Sequence, residues 1–214
     1  MESDSPLMRV GILGGTFDPV HLGHLLLAEQ AREAGRLAQV RFVVSARPPH
    51  KLGQALTPFA QRVEMLRLAV AGEPAFQVDE REEARPGPGY TVDTLEELHR
   101  EMPEATLVLV VGADCLTDLP GWRQPERIAA LAEVLVMGRA AAGKTAHGLP
   151  SRLRLTWIED APEIGIASSD LRERAREGHS LRYLVPRAVE CYIQQHGLYG
   201  EKRARGDRPH QPEA

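Results

Sequence analysis

The stretch Arg9-Val10-Gly11-Ile12-Leu13-Gly14-Gly15-Thr16-Phe17-Asp18-Pro19-Val20-His21-Leu22-Gly23-His24 decides the fold. Its opening is apolar, and residues 9–13 read as a buried strand. Apolar spacing over 22–34 reads as a helix. Two glycines, a proline and two histidines therefore stand at a strand-to-helix junction. In open α/β sheets this is where phosphates collect, because free backbone N–H groups and the positive helix end point at the ligand. Gly14 and Gly15 serve a tight turn, or leave the backbone bare so that a nucleotide can lie against it. As a dinucleotide fingerprint they are out of register.

His21 and His24, three residues apart on a first helical turn, share one face. That face continues through Ala28 and Ala31, small enough to press the helix onto a sheet. The pair reads as two N–H donors aimed at a phosphate, or as two histidines satisfied by local hydrogen bonds. A zinc site would need further ligands, and the chain has neither a His-Glu-x-x-His pattern nor a cysteine cluster.

Outward from this junction, β-rich runs alternate with longer helical patterns, which predicts a parallel sheet. Strands are expected at 9–13, 40–45, 75–79, 106–111, 134–138 and 153–157. Helices are expected at 22–34, 58–71, 92–101, 125–131, 169–177 and 186–196, with Pro58 and Pro186 in first turns. Residues 47–56, 81–89 and 140–150 read as loops. The fold class is α/β: a Rossmann-like open parallel sheet with helices on both faces and a small C-terminal helical part. Residues 1–200 form one domain, and 201–214 read as a flexible tail.

Bulk properties narrow the function. With 43% hydrophobic and 26% charged residues the chain is not a wholly disordered one. A net charge of −4 gives no global field for a polyanion, so no nucleic-acid partner is expected, although a local basic pocket is allowed. No apolar run approaches the ~20 residues that span a bilayer, so no membrane partner is expected. The acidic start lacks a signal peptide's features, and two cysteines are too few for a disulfide framework. A cytoplasmic location follows by default. The chain has no Asn, and Lys51 is one of only three lysines among 26 basic residues, so it stands out.

Further motifs lie beyond other predicted strand ends. Pro48-Pro49-His50-Lys51 is a stiffened loop whose His50 and Lys51 reach for phosphates, unless Lys51 is simply a solvated charge. Ile166-Ala167-Ser168-Ser169-Asp170-Leu171-Arg172 starts a helix at Ser168 or Ser169, with serine as cap. The same hydroxyls and free N–H groups make a second anion site, to which Arg172 adds a fork of donors. Gly112-Ala113-Asp114 ends the fourth strand, and the Asp114 carboxylate suits ribose hydroxyls. Trp122, followed by Arg123, offers a flat face for a heteroaromatic ring, or is a packing residue. Tyr90-Thr91-Val92 opens a helix, with Thr91 as its cap or as a contact to a small polar group.

Together these motifs resemble the nucleotidyltransferase superfamily with the His-x-Gly-His signature and, within it, the bacterial nicotinate-nucleotide adenylyltransferase family, over residues 9–199. Two departures stand out. The family's Ile-Ser-Ser-Thr-x-Ile-Arg has Ala167 and Ser169 here, and Gly89 stands where a serine commonly precedes the Tyr-Thr pair.

The resemblance implies adenylyl transfer from ATP to nicotinate mononucleotide, with His21, His24, Lys51 and Arg172 as the catalytic set. It implies ATP contacts at Gly14, Gly15, Thr16, Phe17, His21, His24, Gly112, Asp114, Ser168, Ser169 and Arg172. The acceptor nucleotide falls to Asp18, His50, Lys51, Thr91, Val92, Trp122 and Arg123. Mg²⁺ is expected to arrive with ATP, held by substrate oxygens and water, with no dedicated protein cage. Homo-oligomerisation is left open. The alternatives are the same chemistry on nicotinamide mononucleotide or pantetheine phosphate, and a non-catalytic nucleotide-sensing module.

Overall fold

The structure, a computed structural model, describes residues 8–138, 148–159 and 164–200. Six strands form one sheet: β1 (Arg9–Gly15), β2 (Gln39–Val44), β3 (Phe76–Asp79), β4 (Thr106–Gly112), β5 (Ala132–Met137) and β6 (Leu155–Ile158). Every pairing is parallel, and the order is β3-β2-β1-β4-β5-β6. The chain winds outward from β1 to β3, then returns to place β4 on the other side of β1. The switch point, where the outgoing connections diverge and leave a crevice, therefore lies between β1 and β4.

The strands are buried on both faces, which is why they read as continuous apolar runs rather than as alternating ones. Successive side chains still point to opposite sides. Leu13, Val40, Phe42, Val44, Val108 and Val110 join the core on one face, while Val10, Ile12, Val43, Leu107, Leu109 and Val111 join the core on the other. The first face is covered by α1 (Leu22–Ala34), α2 (Phe59–Val70), α6 (Ser168–Arg176) and α7 (Arg187–His196), and the second by α3 (Thr91–Glu101), α4 (Ala113–Asp118) and α5 (Pro125–Leu131). Ala28 and Ala31 are fully buried, as their spacing predicts. A larger side chain at either would overpack the layer, at a cost of about 1–3 kcal/mol.

Each expected strand and helix is present, with ends displaced by two residues or fewer. Four details differ. Helix α4 was not expected, because its single turn and a half is too short to show a period. Asp114 therefore sits in a helix rather than ending a strand. Pro58 and Pro186 are cap residues in extended conformation instead of first-turn residues. The loop after β2 contains a 3₁₀ turn at Pro49–Lys51. Of the predicted loop at 140–150, residues 140–147 lie outside the described residues, as do the predicted tail at 201–214 and the Asp114 side chain.

Candidate active site

The β1–α1 connection crosses the switch point and gathers polar groups from several elements. Gly14 is exposed at the end of β1, and Gly112 ends the neighbouring β4; a methyl group built on either would meet nothing within 4 Å. The backbone there is open to a ligand. Gly15 is different. Its Cα faces the Phe17 ring, which would lie 2.8 Å from an added Cβ. Phe17 adopts a left-handed backbone (φ 48°) and is 1% exposed, so its ring belongs to the core and only its main chain faces the crevice.

His21 caps α1, and His24 stands on its first turn. Their rings stack at 3.7 Å between centroids, and the Phe17 ring meets His24 edge-on at 5.0 Å. The His21 backbone N–H donates to His24 Nδ1 at 3.3 Å. An accepting Nδ1 puts the ring proton of His24 on Nε2, leaving that atom a donor. Burial lowers the His21 pKa to about 4. Burial, reinforced by repulsion from His21 and Lys51, lowers that of His24 to about 3. Both rings are therefore neutral donors near pH 7. His21 Nδ1 is buried without a hydrogen-bond partner among the described residues. Gly23 lets this stack form, since a Cβ there would come within 3.0 Å of His21 Nδ1.

Three cationic side chains surround the same loop. Lys51 Nζ donates to Thr16 Oγ1 at 3.0 Å. Burial and the nearby Arg172 guanidinium push the Lys51 pKa down. Arg172 Nη1 donates to the Asp18 carbonyl at 2.7 Å, and Ser168 Oγ donates to the Pro19 carbonyl at 2.9 Å. The start of α6 is thus docked against the loop between β1 and α1. The third cation, Arg62, was missed at the sequence level. It is 1% exposed and donates to the carbonyls of Thr57, Thr16 and Ser45. Its signal was present, because Arg62 lies on the face that α2 otherwise fills with Phe59, Val63 and Leu66.

The cap residue of α6 is Ala167, not a serine, and no side chain caps the helix. Ser168 occupies the first helical position, and Ser169 Oγ is bonded to Asp170. The first N–H groups of α6 have no intrahelical acceptor, which is the electrostatics of an anion site.

Of the residues expected to hold the acceptor, those at the α3 start and in the Trp122–Arg123 segment come together. The cap of α3 is Tyr90, so Thr91 is the first helical residue rather than the cap. The Arg123 guanidinium lies 4.7 Å from the Tyr90 ring centroid, which ties the Trp122–Arg123 segment to the α3 start. Trp122 is half-buried against the second core. The Val92 side chain is buried, so only its N–H can serve a ligand. His50 is exposed on the 3₁₀ turn.

Asp18 departs from its expected place. Its carboxylate is 2% exposed, with Oδ1 accepting from the Tyr199 hydroxyl at 2.7 Å and Oδ2 from the Thr57 N–H at 3.1 Å. Both oxygens are engaged inside the protein. Nothing near Tyr199 in the sequence signals this, because the contact spans 181 residues.

A parallel sheet in this order, with neutral donors, cations and a helix start above the switch point, defines a nucleotide-binding α/β protein built for phosphate groups. The cytidylyltransferase-like family model matches residues 12–174. A probable nicotinate-nucleotide adenylyltransferase of Thermus thermophilus is 47% identical over 192 residues, covering 90% of this chain and 100% of that protein. One of Thermomicrobium roseum is 45% identical, covering 90% and 92%. Plasmodium falciparum nicotinic acid mononucleotide adenylyltransferase, solved with NaAD, shares the fold at a TM-score of 0.75 and 18% identity, covering 90% of this chain and 97% of that one. The chain belongs to the cytidylyltransferase-like family and, within it, to the nicotinate-nucleotide adenylyltransferases.

Proposed function

We propose that the protein transfers the adenylyl group of ATP to nicotinate mononucleotide, releasing pyrophosphate and forming deamido-NAD. One observation carries the reading. Lys51, Arg172, the His21–His24 pair and the α6 start gather around a single loop, and among the described residues no carboxylate answers the Lys51 ammonium within ion-pair distance. Such a group of donors is built for a triphosphate.

In the reaction, a phosphate oxygen of the mononucleotide bonds to the α-phosphorus of ATP. The bond from that phosphorus to the bridging oxygen breaks, and pyrophosphate leaves with the electron pair. A phosphate monoester has a second pKa near ~6, so the nucleophile is already ionised and no general base is needed. The protein's work is alignment and charge neutralisation. His24 Nε2–H is the neutral donor available to a phosphate oxygen. Lys51 and Arg172 supply full charge beside it, and the N–H groups of α6 add partial charge.

The side chains around this loop are donors rather than metal ligands, and both Asp18 oxygens are occupied. They suit a Mg²⁺ ion carried by the triphosphate and water, whose chemistry is to neutralise the leaving pyrophosphate.

On the acceptor side, the N–H groups of Thr91 and Val92 open an eleven-residue helix. A carboxylate accepts from such donors and is favoured by the helix field, whereas a carboxamide brings donors of its own. This supports the acid over the amide as substrate. Initial rates of pyrophosphate release with nicotinate and nicotinamide mononucleotides test it. Faster turnover of the acid is expected, and a preference for the amide would overturn the substrate assignment.

A further inference from the structure

The loop that carries the donors has little regular structure of its own, so its shape must be imposed from outside. Four main-chain contacts do part of this. Thr16 O accepts from Arg62, Asp18 O from Arg172 and Pro19 O from Ser168, while the Leu22 N–H donates to Leu184 O at 3.0 Å. The fifth anchor is the Asp18 side chain, a buried carboxylate that accepts one O–H and one N–H.

Tyr199 supplies that O–H from beyond the end of α7. The helix stops at Gly197 in a left-handed turn (φ 59°), and Tyr199 itself adopts φ 65°, which carries its ring back toward α2 and the loop. Burial and the Asp18 charge push the phenol pKa up, so the group remains a donor.

Asp18 also acts on Lys51: burial and Arg172 lower the Lys51 pKa, and the Asp18 charge opposes them in part. The ammonium nevertheless bonds to Thr16 Oγ1, at the edge of the crevice, and not to Asp18. An Asp18 oxygen without a donor would be a buried, unsatisfied charge. Of the three cations on this loop Lys51, bonded to Thr16 Oγ1 two residues before Asp18, is the one not committed to backbone carbonyls.

We propose that Tyr199 is a positioning residue for ATP: its hydroxyl occupies Asp18 Oδ1 and so leaves Lys51 available to the phosphates. The proposal rests on the adenylyl-transfer reading for the identity of the nucleotide. A residue near the C-terminus would then control affinity in a site built from the N-terminal loop, without touching substrate.

The test is Tyr199→Phe, which deletes one oxygen and keeps the ring, measured with Mg-ATP by calorimetry and by steady-state kinetics. Both Kd and KM for ATP are expected to rise about tenfold, the scale of one lost hydrogen bond to a charged group. The KM for the acceptor should change less than about twofold, since the Thr91–Val92 and Trp122–Arg123 segments, which would hold the acceptor's carboxylate and ring, are untouched. In a Lys51→Ala background the same substitution should leave ATP affinity unchanged.

A fall in melting temperature with ATP affinity intact would overturn the proposal, as would an equal loss in the Lys51→Ala background. Should Tyr199→Phe fail to fold, the Tyr199→Phe/Asp18→Asn pair, which removes the charge that would draw Lys51 inward, must restore the fold and ATP binding or the proposal fails. Because ATP binding is read without turnover, a wild-type protein that binds ATP but is silent with nicotinate mononucleotide would refute the substrate assignment alone.

Discussion

At the scale of single residues, the site depends on side chains whose charge state is set by burial. His24 is the sharpest case. Its Nδ1 is taken by the His21 backbone, its pKa is lowered to about 3, and the remaining Nε2–H is a neutral donor over the whole working range. A neutral donor does not hold ground-state phosphate as tightly as a cation would, and it gains most where charge develops. His24→Ala is therefore expected to lower kcat by about 10²–10³, with a smaller effect on the KM for ATP. The folded state should survive, since the Phe17 ring keeps its contacts with Phe42 and Gly15. Turnover close to wild type, in a variant whose circular dichroism is unchanged, would remove His24 from its role. The two histidines were legible because three-residue spacing on a first turn fixes their common face. Asp18 was legible only as a polar residue in a motif; that its carboxylate is turned inward depends on Tyr199 and Thr57, and no local pattern encodes a contact at such separations.

At the scale of elements, the departures from the family pattern fall at helix starts, where the proposed function also places anion contacts. Helix α6 begins after Ala167, where a methyl group stands at the position that accepts the first N–H bonds. Ala167→Ser would supply the absent side-chain acceptor, and a stabilisation of about 1 kcal/mol is expected, read as a higher urea midpoint with an unchanged m-value. The same hydroxyl would compete with phosphate for those N–H groups, so ATP affinity should not rise with stability. An unchanged midpoint would mean that the α6 N–H groups are already satisfied. The start of α3 shows the reverse, a position where the missing side chain is required by its surroundings. A Cβ on Gly89 would lie 2.0 Å from Glu82 Oε2. That carboxylate is buried, accepting from Ser45 Oγ, the Ala46 N–H and Thr94 Oγ1. Glu82 thereby ties the end of β2 to α3, and the serine expected from the family pattern has no room. Sequence spacing located both helices but could not assign their caps, because a cap is defined by backbone conformation and neighbours more than by residue type.

At the scale of the molecule, the alternation of apolar runs and helical periods was enough to place six strands and six of the seven described α-helices. Strand order was not, since it is set by which faces the helices cover and by crossover handedness, neither of which leaves a local trace. The site inherits this limit: its motifs were readable one at a time, and their meeting point became visible only with β1 beside β4. One property belongs to the whole folded state. In the unfolded chain His21 and His24 take up protons near their ordinary pKa of 6.5, whereas the fold holds them to about 4 and about 3. Keeping them neutral costs the native state nothing above pH 6.5. As the pH falls below 6.5 the unfolded chain binds protons that the native state refuses, so stability declines through the window down to about 4. Each histidine contributes a slope of up to about 1.4 kcal/mol per pH unit there. Urea unfolding between pH 7 and pH 5 should therefore show a falling midpoint, and the His21→Gln/His24→Gln double variant should show a flatter one. Equal slopes in the two proteins would mean that these rings are protonated in the native state, and the neutral-donor account of the site would fall with them.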